Sequence, residues 1–127
     1  VPPPAPDGRL MGSALLVFVG GGTGAVLRWW LSALLPAPWG TWGVNVLGSL
    51  LLAVLLHDTM ALPPSYRLLL GTGLMGGFTT YSTFNHDVLS ALQRGEAGQA
   101  LLLATATVLS CLAGAAAGWA VAERLAA

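Results

Sequence analysis

The stretch GLMGGFTTYSTFNHD, Gly73 to Asp87, follows an apolar run and carries no charge until its last residue. A plain apolar helix would use leucine and alanine here. This one places Gly76-Gly77 beside Thr79, Thr80, Ser82 and Thr83, with Tyr81 and Phe84 among them. Glycine resists helical ordering and tolerates other backbone angles, so the Gly76-Gly77 pair invites a break. A break frees N–H and C=O groups that lipid cannot satisfy. Such backbone is tolerated where it is buried in protein or coordinates an ion, and neighbouring hydroxyls can satisfy part of it locally. The stretch therefore predicts a helix broken in its middle, inside a membrane.

The rest of the chain sets that context. Of its 127 residues, 55% are hydrophobic and 8% charged, whereas ordinary soluble domains carry about 25% charged residues. After Arg9 the next charge is Arg28, and the next Asp58; Leu68 to His86 and Ala97 to Ala122 carry none. Runs of this length cross about 30 Å of hydrocarbon at about 1.5 Å per residue. The chain is an integral membrane protein. Five arginines balance five acids, so no basic surface serves nucleic acid. The lone Cys111 excludes an intrachain disulfide and a cysteine zinc cluster. His57 and His86 lack the spacing of a metal pair and read as hydrogen-bonded residues near helix ends. No nucleophile–base or metal constellation points to an enzyme.

The proline-rich start, VPPPAPDG, reads as a disordered tail over residues 1–9, ahead of a membrane domain over 10–127, with Met11 as an alternative start. The first apolar run is too long for a secretory leader and has no small-residue cleavage site before Arg28. Four crossings are predicted: Ser13 to Leu35, Trp39 to Leu56, Tyr66 to Leu92 and Gln99 to Val121. Pro36 to Pro38 ends the first, and Pro63-Pro64, which cannot lie within a helix interior, separates the second from the third. Short loops make successive helices antiparallel neighbours. Trp29, Trp30, Trp39, Trp42 and Trp119 fall near the predicted helix ends, where the ring is apolar and its N–H finds a partner. Arg9, Arg67 and Arg124 share one side, with Arg28 and Arg94 opposite, a weak bias that leaves both insertion orientations open. Gly20/Gly24, Gly73/Gly77 and Gly114/Gly118 have the spacing that lets membrane helices approach closely.

Three polar features need a reason to be in lipid. Burying Arg28 costs at least about 2.5 kcal/mol, so it either snorkels as an interface anchor or forms an electropositive mouth for an anion. Asn45 offers two donors and an acceptor. It serves either an interhelical hydrogen bond or a pathway, and Thr41 and Ser49, four residues to either side, make a polar stripe that favours the pathway. Tyr81 and Phe84 share one face of the resumed helix. They pack, or they turn their positive ring edges toward an anion.

GGFTTYSTF (Gly76–Phe84), with GTWGVN (Gly40–Asn45) and GGGTGAVLR (Gly20–Arg28) upstream, resembles the small fluoride channels of the CrcB/Fluc family. Length, the four segments and the motif order agree from the first helix onward. The resemblance implies an all-α fold with a broken third helix, assembled as an antiparallel homodimer with two fluoride pathways. It also implies a central sodium ion held by the backbone carbonyls of Gly76 and Thr79. It matches Asn45 to the pore asparagine, Tyr81 and Phe84 to the paired pore phenylalanines, and Arg28 to the first-helix arginine. Thr41, Thr83 and Ser110 join them as candidates for the anion pathway, and Thr107, Ser110 and Cys111 compete for the fourth-helix polar track. Tyr81 replaces the usual phenylalanine, and Asp87 stands where a glutamate is common. The function implied is passive fluoride efflux across the cytoplasmic membrane, protecting the cell; the partners are fluoride, a second copy and lipid. A proton-coupled exporter of similar build would need a titratable group deep in the membrane, and no acid lies within a hydrophobic run. A non-conducting assembly subunit would need neither Asn45 nor a broken helix.

Overall fold

The structure, a computed structural model, describes residues 8–127; the tail expected over residues 1–9 lies, but for Gly8 and Arg9, outside the described residues. Helix α1 is Gly8–Ser32 and α2 is Trp39–Leu56. A 3₁₀ turn, Asp58–Met60, leads to a continuous helical stretch made of Pro64–Tyr66, the π-helical Arg67–Met75 and Gly76–Phe78, together α3. Helix α4 is Tyr81–Gln93 and α5 is Ala97–Ala126. The described residues are all-helical, and α1, α2 and α5 are each long and apolar enough to cross a membrane. This is a multi-pass membrane protein.

The ends of α2 fall where the sequence places them, and those of α1 and α5 do not. Gly8 and Arg9 already belong to α1, which stops at Ser32, three residues short of Leu35. Pro36 disfavours helical geometry for the residue before it, and Ser32 Oγ turns back to donate to Trp29 O at 3.2 Å. Helix α5 runs past Val121 to Ala126. Hydropathy marks the part of a helix that suits lipid, and the helix itself continues through Glu123 and Arg124. Trp119 Nε1 donates to Glu123 Oε1 one turn on, at 3.1 Å.

Packing pairs α1 with α3 and α2 with α5. The closest approach uses the glycines. A Cβ at Gly24 would strike Leu74 O and stand 2.8 Å from Phe78 N; one at Gly77 would strike Gly21 O. Gly118 lies against Leu50 O in the same way. Lipid supplies no hydrophobic drive for helix association, so backbone proximity and dispersion hold these pairs. The small core is Val44, Met75 and Phe78, with Leu31, Leu52, Leu55 and Leu74 packed on it. Large apolar residues such as Phe18, Leu109 and Leu112 are exposed, as suits a lipid-facing surface. At one end of the bundle the buried His57 ring meets Trp119 at 4.3 Å, and its Nδ1 accepts from Thr59 N–H at 3.2 Å. His57 is thus the hydrogen-bonded helix-end residue expected of it.

Helical geometry stops after Phe78. Thr79 (φ −86°, ψ 156°) and Thr80 (φ −150°, ψ 111°) are extended, and α4 resumes at Tyr81. Thr80 caps α4 by accepting from Thr83 N–H at 3.3 Å. With 13 residues, α4 is by itself too short for a crossing.

Candidate functional site

The site follows from where the backbone groups at residues 75–83 go. A helix leaves its last carbonyls and the next helix its first N–H groups without intrahelical partners. Met75 O receives Thr79 N–H at 3.0 Å and Thr79 Oγ1 at 2.9 Å. In an uninterrupted helix Thr80 N–H would turn to Gly76 O; it donates instead to Asn45 Oδ1 at 2.8 Å. Asn45 Nδ2 returns a bond to Thr80 O at 3.0 Å. One buried amide therefore takes both polar groups of an extended residue, across two helices. Gly77 O receives Arg28 Nε at 3.1 Å. Thr83 N–H, which would otherwise reach Thr79 O, goes to Thr80 Oγ1. Gly76 O and Thr79 O have both lost the N–H that a continuous helix would give them.

Beside this junction lies a cavity of about 280 Å³. Asn45 and Ser49 of α2 form one wall, Thr79, Thr80, Tyr81 and Phe84 a second, and Thr107, Val108 and Cys111 of α5 a third. Gly48 lets Thr79 sit against α2, since a Cβ there would strike Thr79 Cγ2. The Tyr81 and Phe84 rings are 5.7 Å apart with planes at 41°. Phe84 is 8% exposed and Tyr81 75%. Thr107 is buried, and its Oγ1 has no hydrogen-bond partner among the described residues. No carboxylate, guanidinium or ammonium lines the cavity. Among the described residues no group of three His, Cys, Asp or Glu could hold a metal.

The structure brings together Asn45, Thr79, Tyr81 and Phe84 from the sequence-predicted set. Arg28, Thr41, Thr83 and Ser110 do not line the cavity. Thr83 is spent on the Thr80 cap, bonded to its Oγ1 at 3.0 Å. Thr41 lies a full turn beyond the section of α2 that the cavity spans. Ser110 accepts from Trp42 Nε1 at 2.9 Å and donates to Ala106 O, which makes it a strut between α2 and α5. The polar positions of α5 at the cavity are Thr107 and Cys111. Thr107, Cys111, Gly114 and Gly118 recur at alternating steps of four and three, a single helix face. In the sequence that glycine pair has the spacing of close helix packing, and the structure shows its partner to be α2, at Val46 and Leu50. Ser110→Ala is expected to cost about 1 kcal/mol of stability, read as a lowered thermal midpoint in detergent.

Asp87 stands apart, at a second cavity of about 110 Å³ shared with Ser90, Arg94 and Gln99. Arg94 itself pairs with Glu96 at 2.9 Å, and that hydrogen bond raises the pKa of the exposed guanidinium.

Fold and site define a small multi-pass helical membrane protein with an uncharged, mostly apolar cavity edged by hydroxyls and one amide, beside the extended residues Thr79 and Thr80. The family model described as CrcB-like protein, Camphor Resistance (CrcB), matches residues 15–119, and the chain belongs to that family. It is similar to the fluoride-specific ion channel FluC of Anaeromyxobacter dehalogenans, at 45% identity over 83% of this chain and 90% of that protein. The protein of the same name from Burkholderia pseudomallei (strain 668) is 47% identical over 72% of this chain and 78% of its own length. A third, from Anaeromyxobacter sp. (strain K), is 43% identical over 80% and 88%.

Proposed function

We propose that this chain is a fluoride channel that lets the ion leave the cell passively. The observation that carries this reading is the reciprocal pairing of Asn45 with Thr80, which opens an uncharged cavity edged by hydroxyls and two aromatic rings. Fluoride is small and strongly hydrated, so a selective path must replace its water with convergent donors and positive ring edges, and must hold no carboxylate. Asn45 keeps one Nδ2 hydrogen beyond its bond to Thr80, and Thr107 keeps an unpaired hydroxyl. Purified protein in liposomes is expected to pass fluoride down its gradient with no proton gradient applied. Silent liposomes, or flux that needs a proton gradient, would overturn the proposal.

In this reading α3 and α4 are two halves of one crossing, broken at Thr79–Thr80, and the channel is an antiparallel homodimer. Tyr81, a pathway residue, is mostly exposed on the single chain, which supports a second copy completing the wall. Gly76 faces open space, with nothing within 4 Å of where its Cβ would be; a bare backbone there suits close approach by a partner. Inverted symmetry is the arrangement by which transporters commonly build a site at the bilayer midplane, and the weak arginine bias permits it. Labelling that puts every C-terminus on one side of the membrane would rule the arrangement out.

The same dimer supplies a sodium site. Gly76 O and Thr79 O, relieved of their helical donors, fit a hard cation that takes neutral oxygen ligands, and two copies give four such oxygens. Sodium bound there supplies positive charge that fixes the two breaks against each other. Because the ligands are main-chain, Thr79→Ser is expected to keep both flux and the ion, the serine hydroxyl still reaching Met75 O. Gly76→Val is expected to lower sodium binding at least about tenfold, the equivalent of one hydrogen-bond-sized interaction. Replacement of sodium by a large organic cation during purification, with flux unaltered, would dismiss the site.

A further inference from the structure

Helix α1 places Gly20, Gly24 and Arg28 at four-residue intervals on one face, and that face meets α3. The two glycines draw the backbones together, Gly20 against Leu69 O and Gly24 against Leu74 O. The third position of the stripe is thereby carried to the C-terminal end of α3. There Arg28 Nε donates to Gly77 O at 3.1 Å, across 49 residues of sequence. In an uninterrupted helix that carbonyl would receive the N–H of Tyr81. Tyr81 is instead the first residue of α4, so the helical donor is gone.

We infer that Arg28 is a positioning residue for the break: its Nε–H substitutes for the missing helical donor at Gly77 O and so fixes the adjoining Gly76 carbonyl. The inference rests on the cation site proposed above. It differs from a role as an electropositive mouth, because Arg28 does not line the Asn45–Tyr81–Phe84 cavity. Its Nη groups make no hydrogen bond to the described residues; the one bond it makes is directional and local.

Three substitutions separate donor from charge. Glutamine carries its Nε2 as many bonds from Cα as arginine carries Nε, so Arg28→Gln keeps the donor and loses the charge. Arg28→Lys keeps the charge but puts a methylene at the donor position. Arg28→Met keeps neither. Each full-length variant is reconstituted in liposomes, and fluoride flux is measured against sodium concentration. Amide hydrogen exchange over residues 76–84 is followed in detergent. Arg28→Gln is expected to match the parent in exchange and to need no more than about threefold more sodium for half-maximal flux. Arg28→Lys and Arg28→Met are expected to need at least about tenfold more, with faster exchange at Phe78–Thr83.

The opposite ranking, with lysine like the parent and glutamine like methionine, overturns the inference and assigns Arg28 to anion attraction. Three parent-like variants overturn it too. Should the parent pass no fluoride, the channel reading is lost, and the exchange ranking still decides whether Arg28 holds the break. Should Arg28→Met not fold, glutamine against lysine gives the answer alone.

Discussion

Asn45→Asp is expected to lower fluoride flux at least about a hundredfold. The carboxylate still accepts from Thr80 N–H, so the shorter of the two bonds, 2.8 Å, is kept. It cannot donate to Thr80 O, which it faces as one acceptor facing another. It also brings a negative charge into a cavity that holds none. Two unit charges about 4 Å apart repel by about 4 kcal/mol at the effective dielectric of a partly solvated site, and about 1.4 kcal/mol is tenfold. A hundredfold is therefore a lower bound if Asn45 borders the path. Asn45→Leu provides the contrast. It adds no charge but leaves Thr80 N–H and Thr80 O without their partner, at about 1–3 kcal/mol for each buried group left unpaired. Its main effect is expected to be lost folded protein, seen as low yield and a low thermal midpoint. Flux per reconstituted channel, measured for both, tells pathway from scaffold. Aspartate with near-normal flux would reduce Asn45 to a strut.

That contrast exists because the sequence left two roles for Asn45 open, an interhelical bond or a pathway donor, and the structure shows the first, beside a cavity. The sequence placed a break at Gly76-Gly77; those glycines are helical in the structure, and the extended residues are Thr79 and Thr80, in the hydroxyl-rich segment that follows them. The three long apolar helices were legible from their uncharged runs. What could not be read was the direction of each hydroxyl. Thr41, Thr83 and Ser110 have the chemistry of a pathway residue, and their positions along a helix are countable. Whether a hydroxyl meets a cavity or a neighbour depends on how helices far apart in sequence are rotated about their axes. Trp42 claims Ser110 across 68 residues, and Arg28 claims Gly77 across 49. Such pairings come from packing, and packing here is set by glycine faces. Ser110 reaches α2 through Trp42, while Thr107 and Cys111, in register with Gly114 and Gly118, line the cavity.

Phe84→Ile and Tyr81→Ile are expected to lower flux per reconstituted channel at least about tenfold, and Tyr81→Phe to leave conduction in place. Isoleucine keeps apolar bulk but has no positive ring edge. An aromatic edge contact is worth about 0.5–1.5 kcal/mol between two rings, and an unhydrated anion gains more from an edge than another ring does. About 1.4 kcal/mol is already tenfold. The two positions differ in a way that sharpens the test. Phe84 is buried within the chain, while Tyr81 is 75% exposed and its hydroxyl makes no hydrogen bond to the described residues. Phe84→Ile therefore also disturbs packing within one subunit, and a fall in its flux must be compared with its yield. Tyr81→Ile removes little packing from the single chain, so its loss of flux reports the ring itself or the contact with a second copy. Tyr81→Phe removes only the hydroxyl. If that hydroxyl donates to the ion, the phenylalanine variant is slow and the isoleucine variant is no worse. If the edge matters, phenylalanine is fast and isoleucine slow. If the ring only packs between subunits, isoleucine lowers the yield of dimers while each surviving dimer conducts normally. Flux and dimer yield for the three variants, taken together, decide among ion edge, hydroxyl donor and packing surface, and normal flux in both isoleucine variants refutes the edge.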